Sequence, residues 1–369
     1  MIKKFPFIVN NISPDIALGN ITFEFNLDGF SFQDLNFNFE YERKNRNRFL
    51  KGQSIKTATK LIPKFSFVQS HHFQEVFSLA VEDIYNVKIP DRAKILRMII
   101  LEIERISASL LFLSAISSSL GFETFRYWVL KDRENFLSVL KTFKKDENIL
   151  NDIIVPGGIK KTIYNVEIER LNEFLEKYFE RILLDYEKIF FKNISLISKT
   201  KNFGVFKKEI LRKNNATGLL LRSCGIKFDL RKNAPYEMYN RVDFPIYNFE
   251  ISDLYNRILS LYFEIKNSIT IIKSSLKLLN ETSDENILEI IDYEEKIGNR
   301  FSFKRIEGVN GELSIYLEVI DSKIEHIKFT SPSFINGLLL INKLEGDYKL
   351  FDIPAIYSSL FIVPMEVYL

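Results

Sequence analysis

Pro90-Asp91-Arg92-Ala93-Lys94-Ile95-Leu96-Arg97-Met98-Ile99-Ile100-Leu101-Glu102-Ile103-Glu104-Arg105-Ile106 is the stretch from which the fold can be read. Ile95, Met98, Ile99, Glu102, Ile103 and Ile106 recur at three-to-four spacing, which places them on one face of a helix. Pro90 followed by Asp91 suits a helix start, where a missing N–H does no harm and a carboxylate faces the positive end of the helix dipole. The pattern continues to residue 120. From Ile106 to Phe122 it carries no charge, but this run is rich in Ser, too short for a membrane span and preceded by Glu102, Glu104 and Arg105. It therefore reads as a buried core helix.

The periodicity on either side agrees. Residues 73–86 form a helical run that ends before Pro90, and further runs cover 125–143, 166–200 and 250–281. The last carries Leu254, Ile258, Leu261, Ile265, Ile269 and Ile272 down one side. Val155-Pro156-Gly157-Gly158 and Ala234-Pro235-Tyr236 punctuate the runs as turns.

Both ends of the chain change period. Ile21, Phe23, Phe25 and Leu27 alternate with Thr22, Glu24 and Asn26; Asp28-Gly29 follows, and a second alternating run spans Leu35-Asn36-Phe37-Asn38-Phe39. Asp-Gly between such runs predicts a β-hairpin. Near the other end, Leu313, Ile315, Leu317 and Val319 read as one strand and Ile324, Ile327 and Phe329 as the next, with Gly308 and Gly311 bracketing the approach. The expected class is α+β, a central bundle of long helices with β elements at both ends. Three stretches follow: 1–60, 61–300 and 301–369, packed as one unit. No repeat, low-complexity tract or flexible linker divides them.

Composition limits the function. The 369 residues carry 46% hydrophobic and 27% charged side chains and a net charge of +3, which gives no reason to expect nucleic acid or an anionic membrane as partner. A single cysteine, Cys224, cannot make an internal disulfide, an iron–sulfur site or a nickel site of its own. Residues 1–11 lack the apolar core of a secretory signal, so the chain is expected to be soluble and to meet a membrane only through partners. The 34 Phe residues, with abundant Ile, Lys and Asn, fit AT-rich codon usage, a drift that erodes motifs.

Three groups of motifs resemble the quinone-site large subunit of respiratory complex I, a relative of the nickel–iron hydrogenase large subunit. The first is Leu79-Ala80-Val81-Glu82 followed by Pro90-Asp91-Arg92-Ala93, Arg97, Glu102, Arg105-Ile106 and Leu110-Leu111. The second is Pro156-Gly157-Gly158-Ile159, with Val155 where the family has Arg. The third runs from Thr217-Gly218 through Leu221-Arg222-Ser223-Cys224-Gly225 and Asp229-Leu230-Arg231-Lys232 to Pro235-Tyr236, Tyr239 and Asp243-Phe244. Asp253-Leu254-Tyr255-Asn256-Arg257, Ser268 to Ile272, Gly311-Glu312-Leu313, Pro332-Ser333-Phe334 and Asp352-Ile353-Pro354-Ala355-Ile356 continue the likeness. It spans residue 11 to the C-terminus and implies a hydrogenase-large-subunit-like fold. Hydrogenase chemistry itself needs four thiolates and is excluded by the cysteine count.

The resemblance implies a quinone pocket shared with a partner that carries the terminal iron–sulfur cluster, and no metal or cofactor held by this chain. The family's quinone-binding Tyr falls on Phe67 and its His on Leu18; its acidic residue before that Tyr becomes Ser66, and an Asp late in the long helix becomes Ser119. Gly19 and Tyr41 survive, and a basic pair appears as Arg43 and Lys44. Phe67 can flank an apolar ring but cannot donate a proton, so Tyr41, His71 and His72 are candidate substitute donors. The alternative for His71-His72 is a partly exposed pair at a helix start, and for Cys224 a small buried residue. Arg222, Asp229 and Arg231 are expected to form an ion-pair cluster bracing the loop on the cluster side, and Glu102 and Arg105 a local pair.

The implied function is a core peripheral-arm subunit of an NADH:quinone oxidoreductase, inactive alone. Its expected partners are the cluster-bearing subunit, other peripheral-arm subunits, a membrane arm and quinone. The expected location is the matrix side of the inner mitochondrial membrane or the cytoplasmic face of a bacterial one. A scaffold subunit that has lost quinone chemistry, and a ferredoxin-linked or energy-converting complex, are the alternatives.

Overall fold

The computed structural model describes residues 3–7, 21–28, 31–39, 46–142, 153–160, 165–282, 286–343, 348–349, 352–367 and 369. β1 (Lys3–Phe7), β2 (Ile21–Asp28) and β3 (Ser31–Phe39) form an antiparallel sheet with β2 in the middle. Asp28 pairs with Ser31, so the chain reverses where Asp-Gly predicts. β1 is an addition to the sequence reading. Its Pro6 donates no backbone hydrogen bond, which suits an edge strand and weakens a strand pattern.

α1 (Ile55–Leu61) starts at Ser54, whose hydroxyl accepts from Thr57 N at 3.2 Å. α2 (Ser70–Tyr85), α3 (Asp91–Ser119) and α4 (Glu123–Thr142) follow. α3 begins one residue after Pro90, as read from the sequence. A two-stranded turn, β4 (Ile154–Val155) with β5 (Gly158–Ile159), encloses Pro156-Gly157. The run expected over 166–200 is not one continuous α-helix. α5 (Asn165–Phe174) and α6 (Glu180–Tyr186) are separated and followed by π turns at Leu175–Phe179 and Glu187–Phe191. α7 (Ile194–Thr200) is a fresh start, because the Asn193 side chain accepts from Ser195 N at 2.9 Å.

α8 (Lys208–Lys213), α9 (Gly218–Arg222) and α10 (Leu230–Asn233) are short. α11 (Leu254–Glu281) is long and is capped by Asp253, whose carboxylate accepts from Asn256 N at 2.8 Å. β6 (Asn299–Glu307), β7 (Glu312–Ile320) and β8 (Lys323–Thr330) make the second antiparallel sheet, and α12 (Pro332–Lys343) and α13 (Ile353–Ser358) close the chain. β6 escaped the sequence reading because Phe301 and Phe303 face solvent while Ser302 is buried.

Two layers of core position the site. α3 and α11 pack side by side; Glu102 meets Ser268 and Arg105 meets Glu264, so the pair runs antiparallel. Their apolar faces, with α4 to α7 and α13, form the larger core. α1 and α2 pack instead on the β6–β8 sheet, with Phe73, Phe77 and Val81 against Leu313, Ile315 and Leu317. The seam between these two cores is lined with charge.

Candidate functional site

The segment from Ser66 to His72, a turn running into the start of α2, crosses that seam. The buried Ser66 hydroxyl accepts from Val68 N at 3.2 Å and Gln69 N at 3.1 Å, folding the loop back on itself. Before the turn, Phe65 sits edge-on to Phe329, with ring centroids 5.5 Å apart. After it, Gln69 is fully buried, donates to Glu366 Oε2 at 2.7 Å and accepts from Val309 N at 3.1 Å. The chain is thus pinned on both sides of Phe67, whose side chain stands 58% exposed. An apolar ring held out on a fixed turn is unfavourable in water and suited to covering by something else.

His71 and His72 do enter a helix, and His71 is partly exposed as expected, but the expectation is corrected for His72, which is completely buried. The cause is Glu104 on α3. One of its oxygens accepts from His71 N at 2.9 Å and Nδ1 at 2.8 Å; the other accepts from His72 N at 3.0 Å and Nδ1 at 2.7 Å. A carboxylate thereby caps the start of α2, where free N–H groups and the helix dipole favour an anion. Burial opposes ionisation of Glu104, yet the two imidazoles hold its carboxyl well below the ordinary range. An acceptor-only carboxylate fixes both rings with the proton on Nδ1. His72 Nε2 then accepts from Arg105 Nη2 at 3.2 Å, so neither of its nitrogens is free, and burial lowers its pKa. His71 Nε2 has no partner.

Arg105 joins this loop to the second group of expected residues. Its Nε lies 3.2 Å from Glu102 Oε2, and its guanidinium donates to Gly308 O and to Glu307 O at 2.7 Å. Glu102 is in turn 3.1 Å from Arg231 Nη1 and accepts from Tyr239 Oη at 2.7 Å and Ser268 Oγ at 2.6 Å. Arg231 is bidentate on Asp229, at 3.0 and 2.7 Å, and reaches Glu264 at 2.7 Å. Arg222 closes the lattice on Asp229 at 3.3 Å, Glu264 at 3.0 Å and Glu307 at 2.8 Å. Burial alone would raise the Glu102 carboxyl, but Arg105, Arg231 and the two hydroxyls bring it down to about 2. Glu307 goes the other way, raised by burial and by Asp229. Buried charges are tolerated only when paired this thoroughly.

The remaining motifs serve the same seam. Arg97 donates to Val155 O at 2.8 Å and Gly158 O at 3.1 Å, while Glu82 accepts from Gly157 N at 2.8 Å. The Pro-Gly-Gly turn is therefore tied to α2 and α3 together. Its glycines are required: a Cβ on Gly157 would lie 2.2 Å from Glu289 O. Gly218 (φ +62°) is likewise obligatory, its Cβ position being 2.3 Å from Gly311 Cα, and Thr217 Oγ1 accepts from Glu312 N at 2.9 Å. Ser119 only returns a hydrogen bond to Ile116 O. Cys224 is buried and its thiol donates to Leu221 O at 3.0 Å, with its pKa raised by burial.

Phe67 and His72 are thus linked to Arg222, Asp229 and Arg231 through Arg105 and Glu102. Leu18, Gly19, Tyr41, Arg43 and Lys44 lie outside the described residues. The sequence reading missed Glu104, Glu264 and Glu307. Glu264 had a legible mark, since it sits three residues after Leu261 and next to Ile265 on the apolar side of α11. Glu104 had none, because its partners lie on another helix.

Residues 119–297 match the family described as respiratory-chain NADH dehydrogenase, 49 kDa subunit. An NADH-quinone oxidoreductase subunit from Thermosipho melanesiensis is 28% identical over 315 residues, covering 83% of this chain and 84% of its own. A chloroplastic NAD(P)H-quinone oxidoreductase subunit from Anthoceros angustus is 25% identical and covers 92% of each chain. Among solved structures, a chain of the membrane-bound sulfane sulfur reductase, an archaeal respiratory membrane complex, superimposes with a TM-score of 0.91 at 22% identity, over 100% of this chain and 98% of that one. That likeness establishes the fold. Matches that run nearly end to end, on a fold whose family motifs converge in one buried lattice, lead to one conclusion: the chain is similar over most of its length to the respiratory-chain NADH dehydrogenase 49 kDa subunit family.

Proposed function

We propose that this chain forms one wall of the quinone cavity of a complex I-type NADH:quinone oxidoreductase, beside a partner subunit that carries the terminal iron–sulfur cluster. The observation that carries the reading is the exposed Phe67 ring on a turn pinned at both ends, four residues before the unpartnered Nε2 of His71. An aromatic face fits the ring of a quinone, and an Nε2 that has taken up a proton can donate it to a carbonyl oxygen. Reduction of a quinone places negative charge on both carbonyl oxygens, and positioned donors lower that cost. In this role Glu104 is a positioning residue: it holds the His71 proton on Nδ1 and leaves Nε2 to exchange one with the pocket. His72, with both nitrogens engaged, serves the frame.

The reading places electron supply in the partner's cluster and assigns no metal or nucleotide to this chain. Other peripheral-arm subunits and a membrane arm complete the proposed assembly, at the matrix or cytoplasmic face of the membrane. Among the described residues no helix is long and apolar enough to cross a membrane, so attachment would run through those partners.

A second reading, a scaffold without quinone chemistry, is favoured by the absence of a hydroxyl on Phe67 and by the full engagement of His72. Quinone reduction by the assembled complex separates the two. His71→Asn keeps an amide donor toward Glu104 but removes Nε2, and should lower kcat on the order of 100-fold with assembly intact. Phe67→Ala should raise KM for quinone. Turnover unchanged in both variants would instead establish the scaffold.

A further inference from the structure

A second charged cluster, separate from the Phe67 loop, lies where α2, α3, the β4–β5 turn and the 236–239 loop meet. One guanidinium, Arg97, serves three carboxyl groups there: Glu82, Glu237 at 3.0 Å and Glu75 at 3.7 Å. All four side chains are at least 95% buried. The Arg97 donors are spent on Glu82, Glu237, Val155 O and Gly158 O, which leaves none for Glu75. Both Glu75 oxygens and Glu237 Oε2 consequently lack a donor. Yet the Glu75 and Glu237 carboxyl groups crowd the same guanidinium, and the proximity of Glu237 helps to raise the Glu75 carboxyl pKa. Two carboxylates cannot bond. A carboxylic acid and a carboxylate can, and one proton repairs two of these three vacancies, one oxygen on each side chain.

We infer that Glu75 and Glu237 form a buried proton-binding site that holds one shared proton at neutral pH. Burial and the adjacent Glu237 both push the Glu75 pKa upward, against Arg97. Other groups facing the pair are Glu82 on α2, which adds negative charge, and Tyr236, which stays neutral because burial raises its pKa. Glu237 stands in the left-handed region (φ +48°), so its carboxyl reaches the pair from a backbone conformation that a loop rarely adopts unaided. The same loop carries Tyr239, bonded to Glu102 of the central lattice. By linkage, anything that draws the 236–239 loop away from α2 separates the carboxyls and releases the proton. The site is independent of whether the chain binds quinone.

Infrared spectra of the assembled complex test it. Wild type should show a deuterium-sensitive carbonyl band of a protonated carboxylic acid at pH 7, and Glu75→Gln, which mimics the protonated form, should lack it while keeping the wild-type Tm. Raising the pH should bleach the wild-type band and lower its Tm together, because a carboxyl whose folded pKa is raised loses its stabilising proton as pH climbs. If Glu75→Gln fails to assemble, that wild-type pH series decides alone. Absence of the band at pH 7, or a Glu75→Gln complex several degrees less stable there, would overturn the inference.

Discussion

At the scale of single residues, Glu104 shows how one carboxylate can organise a site. Four donors from His71 and His72 converge on it, and the same contacts stabilise its charge, cap α2 and select both imidazole tautomers. Acid should expose this arrangement in two steps. The His72 pKa is lowered in the folded chain, so below pH 6.5 the unfolded chain binds a proton that the folded one refuses, and stability falls as pH drops. The Glu104 pKa is also lowered, so its contribution is complete above 4.5 and is lost as pH falls further. Thermal melts from pH 8 to 4 should show a first slope beginning near 6.5 that His72→Asn removes. A slope unchanged in that variant would assign it to other groups.

At the scale of elements, α3 carries Arg97, Glu102, Glu104 and Arg105 inward, in four directions: to the β4–β5 turn, to α11, to α2 and to the β6–β8 sheet. A helix of this kind is held by charge pairing as much as by apolar area. Glu102→Gln leaves Arg105 and Arg231 facing each other in the interior and should cost about 3–5 kcal/mol. Ile103→Val, one methylene away from wild type at an equally buried position, should cost about 1 kcal/mol. Urea midpoints of the two variants compare these directly, and a larger loss from Ile103→Val would refute the ranking. The helix itself was legible from spacing, as was the Glu102–Arg105 pair three residues apart. The destinations were not. Nothing local in Glu104, Glu264 or Glu307 names a partner, because each pairs across a distance that only the packing of α2, α11 and β6 creates. The Phe301–Phe303 strand misled for a related reason: its apolar side faces out.

At the scale of the molecule, two hydrophobic cores meet across a charged seam. Arg222 spans it between Glu264 and Glu307, and Arg105 spans it more widely, reaching His72 on α2, Glu102 and Glu264 in the helical core, and the carbonyls of Glu307 and Gly308 at the end of β6. Hydrophobic contact alone would let the α2–sheet layer slide on the helical bundle, since apolar surfaces are not directional. Directional bonds from a rigid guanidinium fix the angle between the layers and hence the place of the Phe67 turn. Arg105→Met keeps most of the volume and the helix propensity while deleting every one of those bonds. It should lower the unfolding free energy by about 3–5 kcal/mol, because Glu102, Glu264 and two buried carbonyls lose a donor at once. It should also make the layers separable. Limited proteolysis should cut the 308–311 turn of Arg105→Met faster than that of Ile103→Val under identical conditions. Equal cutting in both would mean that apolar packing, and not Arg105, holds the layers in register.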